Sequence, residues 1–414
     1  MKILLKNGTV VSSKGKKHSD VLIEDGKIAK VASGISDDAA RVIDCEGEFI
    51  MSGVIDAHVH LREPGGTHKE DFATGSKAAL KGGVTTVLDM PNNNPPTDTI
   101  ERLLAKYELA KKKMVCNSRF YILGTAENLN DVKKADMACG VKLFMGKSTG
   151  GFVIDDATLE SFLKNIKTKP IVVHAEDEER IEVRKKEFEG DENPAVHSLI
   201  RDDESAYIAV KKVLHLAKKY GSKLHLTHVS TKKELEVLKK FKSKKITAEV
   251  ATHHLFLNKN AYKDHGNFVK MNPPLRSEED RVAMWEALKS GLIDIIVTDH
   301  APHTIAEKKE SYENAPSGVP GLETLLPLML DAVNHGQITF ERMIEAMCEK
   351  PASIFGLKGK GFVKAGYDAD LVVVDMLKEG VVGKGGYATK CGWSPYDGWK
   401  LTGWPEIVIC GGSF

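Results

Sequence analysis

The sequence predicts an α/β fold: a (β/α)8 barrel with a small β-sandwich domain formed by both chain ends. Three observations predict it. Eight short apolar segments, separated by loops and helical stretches, recur between residues 54 and 298. Residues able to do chemistry stand at the ends of several of these segments. A barrel collects its site that way, whereas a doubly wound sheet would gather it at one switch point. Both chain ends read as short strands and tight turns, and the first 50 residues are too little to bury a core alone.

In chain order, Ile3-Leu4-Leu5, Val10-Val11 and Val21-Leu22-Ile23 are strand-like, and Glu24-Asp25-Gly26-Lys27 is a hairpin turn leading into Ile28-Ala29-Lys30-Val31. The barrel strands are expected at 54–60, 84–89, 118–123, 141–145, 171–174, 224–228, 246–250 and 294–298. Helical periodicity places helices at 67–81, 100–113, 205–220 and 232–242. From Gly361 to Asp375 a turn leads into the apolar run Leu371-Val372-Val373-Val374. The expected division is 1–53 and 356–414 as the two parts of the sandwich, with 54–355 as the barrel.

The 414 residues are too many for one small domain, and 42% hydrophobic content allows a large core. Lys+Arg 59 against Asp+Glu 58 leaves no charge excess to attract nucleic acid or an anionic membrane, so neither partner is expected. Six scattered cysteines form no C-x-x-C pair, which argues against zinc ribbons and dithiol redox chemistry and suits reduced thiols. The segment 1–8 turns polar too soon for a signal peptide, and no apolar run reaches the ~20 residues of a membrane span. A cytoplasmic enzyme acting on a small molecule is expected.

The stretch Asp56-Ala57-His58-Val59-His60-Leu61-Arg62-Glu63-Pro64-Gly65 ends the first barrel strand. With a regular pleat, His58 and His60 share one face and can grip one metal ion. The other strand ends add His174, His228 and Asp299, and Lys142 lies within Val141-Lys142-Leu143-Phe144-Met145. A lysine flanked by apolar residues is costly to bury as a cation. It either pairs with a carboxylate such as Asp299 or loses its proton. A neutral amine reacts with carbon dioxide to form a carbamate, an anion able to bridge two metals.

Asp-x-His-x-His-Leu-Arg-Glu-Pro-Gly resembles the opening signature of the dihydroorotases, members of the cyclic amidohydrolase superfamily. The resemblance implies two zinc ions per chain, bridged by carboxylated Lys142 and a hydroxide. One ion would be held by His58, His60 and Asp299, the other by His174 and His228. It implies reversible cyclisation of N-carbamoyl-L-aspartate to L-dihydroorotate, with Asp299 moving the proton between the attacking hydroxide and the ring nitrogen. It assigns Arg62, Asn92 and His303 to the substrate carboxylate and Asn272 to the ring. Three of these also have a plain structural role open to them: Arg62 a surface turn, Asn92 and Asn272 turns beside proline. His253 and His254 are given supporting roles. Ser148 and Thr149, in a loop of 146–151 with three glycines, are a candidate lid. A homodimer is expected. The alternatives are an allantoinase or hydantoinase-type cyclic amide hydrolase, and a non-catalytic relative.

Overall fold

The structure is a computed structural model that describes residues 2–147 and 150–414. The barrel strands are Val54–Val59, Val84–Asp89, Asn117–Phe120 continued by Ile122–Leu123, Val141–Phe144, Ile171–His174, Leu224–Leu226, Ile246–Ala251 and Ile295–Val297. Each pairs in parallel with the next. The third is split: its first half pairs with the second strand and its second half with the fourth. Closure comes from a parallel bridge between Val59 and His300 and from Asp56, which accepts from the backbone N and the Oγ1 of Thr298. Nearly every strand residue is buried on both faces, as a sheet wrapped in helices requires.

Two apolar layers result. Inside, Ile55, Ala57, Leu88, Tyr121, Val172, Ala251, Ile295 and Val297 fill the barrel, and Phe355 packs edge-on against Tyr121 and His225. Outside, Val54, Val59, Val87, Leu143 and Val173 meet the helices. The helices start where side chains can satisfy their free N–H groups. Asp71 caps Phe72–Lys81 in a capping box with Thr74, and Thr231 caps Lys232–Phe241 in one with Glu234. The first of these starts later than its periodicity suggests, because 67–69 is occupied by a turn.

The chain ends build two sheets. One consists of Lys2–Lys6, Asp20–Glu24, Lys27–Ala32 and Arg41–Asp44. The other joins Thr9–Ser12, Gly15–His18 and Phe49–Ser52 to Leu371–Val381 and Lys400–Ile409. Leu371 to Val374 run antiparallel to Ser52 to Phe49, so both termini share one sheet. Ile3, Leu5, Val21, Ile23, Ile50, Leu371, Val373 and Ile409 form the core between the sheets. At the predicted hairpin, Asp25 and Gly26 both have positive φ (48° and 78°), the backbone that suits a tight two-residue turn.

Candidate metal and substrate site

The barrel strands deliver His58, His60, His174, His228 and Asp299 to one mouth. His58 Nε2 and His60 Nε2 lie 3.3 and 3.2 Å from Asp299 Oδ1. Ligand atoms of His58, His228 and Asp299 all fall within 4.8 Å of one another. His174 Nδ1 is 3.0 Å from His228 Nε2, near the edge of a tetrahedron around an ion at ~2.0–2.1 Å. Arg62, His228 and Asp299 have φ of 61°, 34° and 48°. A left-handed backbone at three non-glycine residues is a local cost that surrounding structure must hold in place. The regular pleat expected of the first strand is interrupted: its pairing shifts between Asp56 and Val59, and Ile55 and Ala57 take the inner positions. His58 and His60 therefore reach Asp299 through an irregular strand end.

The donor set fits a divalent cation. Three imidazoles have one nitrogen tied and the other aimed at the cluster. His58 Nδ1 is held by Glu249 Oε1 at 2.5 Å, His60 Nδ1 by Asn92 Oδ1 at 2.7 Å, and His174 Nε2 by Glu176 Oε2 at 2.8 Å. This is how ligating histidines are oriented and their tautomer fixed. Burial brings His60 to about 4, against the opposing pull of Asp299, and lowers His174 and His228 as well, keeping these imidazoles in the neutral ligand form. Burial would raise Asp299, but His58, His60 and His253 around it hold its carboxyl below the usual carboxylate range. His228 Nδ1 and both ring nitrogens of His253 are buried without a hydrogen-bond partner among the described residues.

Lys142 is wholly buried. Its Nζ reaches Thr227 Oγ1 at 3.4 Å and sits over the Phe144 ring at 4.9 Å; no ion pair with Asp299 forms among the described residues. Burial lowers its amine to about 8, with Glu249 and Asp299 pulling the other way.

Arg62 is buried, not a surface turn residue. Its Nε donates to Pro302 O at 3.1 Å and its Nη2 lies 3.1 Å from His303 Nε2. No carboxylate pairs with it among the described residues. Asn272 Oδ1 meets His197 Nε2 at 2.8 Å, and among the described residues none of its bonds joins the metal-site histidines. His254 Nε2 faces the backbone oxygens of Pro273 and Pro274. Ser148 and Thr149 lie outside the described residues.

Sequence reasoning missed the acids behind the histidines. Glu249 binds both His58 and His225, and its second oxygen is 2.9 Å from His225 Nε2. Burial would raise its pKa; His58 and His225 bring it down to about 2. Glu176 is clamped by Arg201, whose Nη2 lies at 2.5 Å, and by His174. The available signals were a lone acid inside the apolar run of the seventh strand, and Glu176 two positions after His174.

Three comparisons bear on this arrangement. The model of the Amidohydrolase family matches residues 49–414. A dihydroorotase from Pyrococcus horikoshii is 41% identical over 392 residues, covering 94% of this chain and 86% of that protein. One from Methanosarcina acetivorans is 36% identical over 426 residues, covering 99% and 91%. Among solved structures, an L-hydantoinase (dihydropyrimidinase) from Arthrobacter aurescens superposes with a TM-score of 0.96 at 32% identity, covering 99% of this chain and 95% of that one.

Proposed function

The chain belongs to the amidohydrolase family, and from that premise we propose that its barrel mouth interconverts N-carbamoyl-L-aspartate and L-dihydroorotate. It is a cyclic amide hydrolase acting on a small molecule. The observation that selects this substrate is Arg62. A buried guanidinium without a carboxylate partner is costly unless a ligand supplies one. Dihydroorotate carries a ring carboxylate and hydantoin does not. The likeness to a hydantoinase structure favours a second reading, hydantoin hydrolysis, in which this guanidinium would stay unpaired.

His58, His60 and Asp299 would hold one zinc ion and His174 and His228 a second, with a carboxylated Lys142 between them. When bound, the ions supply Lewis acidity and a hydroxide near neutral pH. Burial lowers the Lys142 amine to about 8, which favours the neutral form that reacts with carbon dioxide. Arg62 receives the ring carboxylate, with His303 packed against its Nη2. Asn92 orients His60, and its amide adds to the carboxylate site, while Asn272 borders the ring. In ring opening Asp299 takes a proton from the attacking oxygen and delivers it to the leaving ring nitrogen; in closure it takes the proton from the ureido nitrogen. The enzyme works in the cytoplasm as a homodimer.

The test is loss of dihydroorotate absorbance with purified protein, with hydantoin and allantoin as controls, alongside metal analysis. Turnover of dihydroorotate alone, with two ions per chain, is expected. Faster turnover of hydantoin or allantoin would reassign the substrate.

A further inference from the structure

His303 is offered more donors than a neutral imidazole can accept. Lys69 Nζ lies 3.0 Å from its Nδ1, and Arg62 Nη2 lies 3.1 Å from its Nε2. The backbone oxygen of Ser317 is also 3.0 Å from Nε2. The ring is neutral: burial first, then the charges of Arg62, Lys69 and Lys308, lower its pKa well below the usual value. A neutral imidazole has one N–H and one lone pair. Lys69 is paired with Glu307 at 2.8 Å, so it is an ammonium and can only donate. Its donation requires the lone pair at Nδ1. The ring proton then sits on Nε2 and donates to Ser317 O. Arg62 Nη2 therefore faces an N–H, which cannot accept from it. The guanidinium is anchored at Nε by Pro302 O, while its terminal nitrogens find no acceptor among the described residues.

We propose that Lys69 is a positioning residue for carboxylate recognition: by fixing His303 as the Nε2–H tautomer, it keeps the terminal N–H groups of Arg62 uncommitted, ready for the substrate carboxylate. Without the ammonium, the ring can move its proton to Nδ1 and accept from Arg62 at Nε2, turning the guanidinium away from the substrate. Lys69 precedes the helix Phe72–Lys81 and Glu307 lies on Ile305–Lys308, so the loops after the first and last barrel strands are joined through this chain. The inference rests on the assignment of Arg62 to the substrate carboxylate.

The test compares Lys69→Met, Lys69→Arg, Arg62→Met and the Lys69→Met/Arg62→Met double variant as metal-loaded enzymes of checked metal content. Lys69→Met should raise KM for dihydroorotate roughly tenfold to a hundredfold, the worth of a hydrogen bond to a charged group, with kcat little changed. Inhibition by dihydrouracil, the same ring without the carboxylate, should be unaltered. Lys69→Arg should recover most of the loss. In the Arg62→Met background, Lys69→Met should add nothing, because its effect passes through Arg62. Independently of any variant, 15N spectra of histidine-labelled wild-type enzyme should show His303, identified by its loss in His303→Gln, protonated at Nε2. An unchanged KM in Lys69→Met, a full additional loss in the double variant, or a proton at Nδ1 overturns the role of Lys69 alone. An unchanged KM in Arg62→Met overturns the carboxylate assignment and the inference with it.

Discussion

At the scale of single residues, the site is a set of histidines whose direction is set from behind. Glu249 illustrates the dependence. It is wholly buried, and its two oxygens hold His58 and His225. Glu249→Gln keeps the shape but loses the charge that orients His58, and metal affinity should fall about 10–100-fold. Competition with a chelator measures this, and wild-type affinity would rule out an orienting role. Lys142 presents a different dependence. Its amine, brought down to about 8 by burial, has one long bond, to Thr227, among the described residues. Lys142→Ala should be nearly inactive and short of metal, and acetate or propionate should restore part of both by standing in for the carbamate. Failure of every short acid to restore activity, with metal content intact, argues against a carboxylated lysine.

At the scale of elements, each barrel helix must start cleanly so that the loop before it can carry site residues. The helix Phe72–Lys81 follows the segment that holds Arg62 and Lys69, and Asp71 is its cap, also paired with Lys390. Burial would raise the Asp71 carboxyl, but Lys390 and Thr74 bring it down to about 2. Asp71→Ala should cost about 1 kcal/mol of stability. Because the folded pKa lies below the unfolded value near 3.9, the charged cap contributes fully above about pH 5 and is lost as pH falls through that value towards about 2. The difference in Tm between wild type and variant should be constant from neutral pH to about pH 5 and shrink below that. A difference that grows on acidification would contradict the sign.

At the scale of the whole molecule, the sandwich and the barrel are joined through one continuous stretch. Phe49–Ser52 pairs with Leu371–Val381, then passes through Gly53 directly into Val54–Val59. A Cβ at Gly53 would meet Thr85 Oγ1 at 2.1 Å, so the crossing is close-packed. Leu371 is wholly buried between the sheets. Leu371→Ala should cost about 2–5 kcal/mol, roughly 2–6 °C in Tm for a chain of this size. Bound metal should be released in the same transition. Metal release at an unchanged temperature, with the sandwich melting earlier, would mean that the two parts unfold separately.

The sequence alone was enough for the alternation of strands and helices and the hairpin at Asp25-Gly26, because these follow from local periodicity and turn chemistry, and the strand-like character of both chain ends pointed to a shared sandwich. It also marked His58, His60, His174, His228 and Asp299, since polar residues ending apolar strands stand out, and Lys142, a lysine inside one. Tertiary structure decided how those side chains are aimed. The shifted pairing at Asp56 and the left-handed backbone of Arg62, His228 and Asp299 belong to the closed barrel, and the contacts of Glu249 with His58 and of Glu176 with Arg201 join residues far apart in the chain. Likewise, Lys69 and Arg62 meet His303 more than 230 positions away. No local pattern carries such a contact: a hydrogen bond between distant segments depends on where the closed barrel brings their backbones.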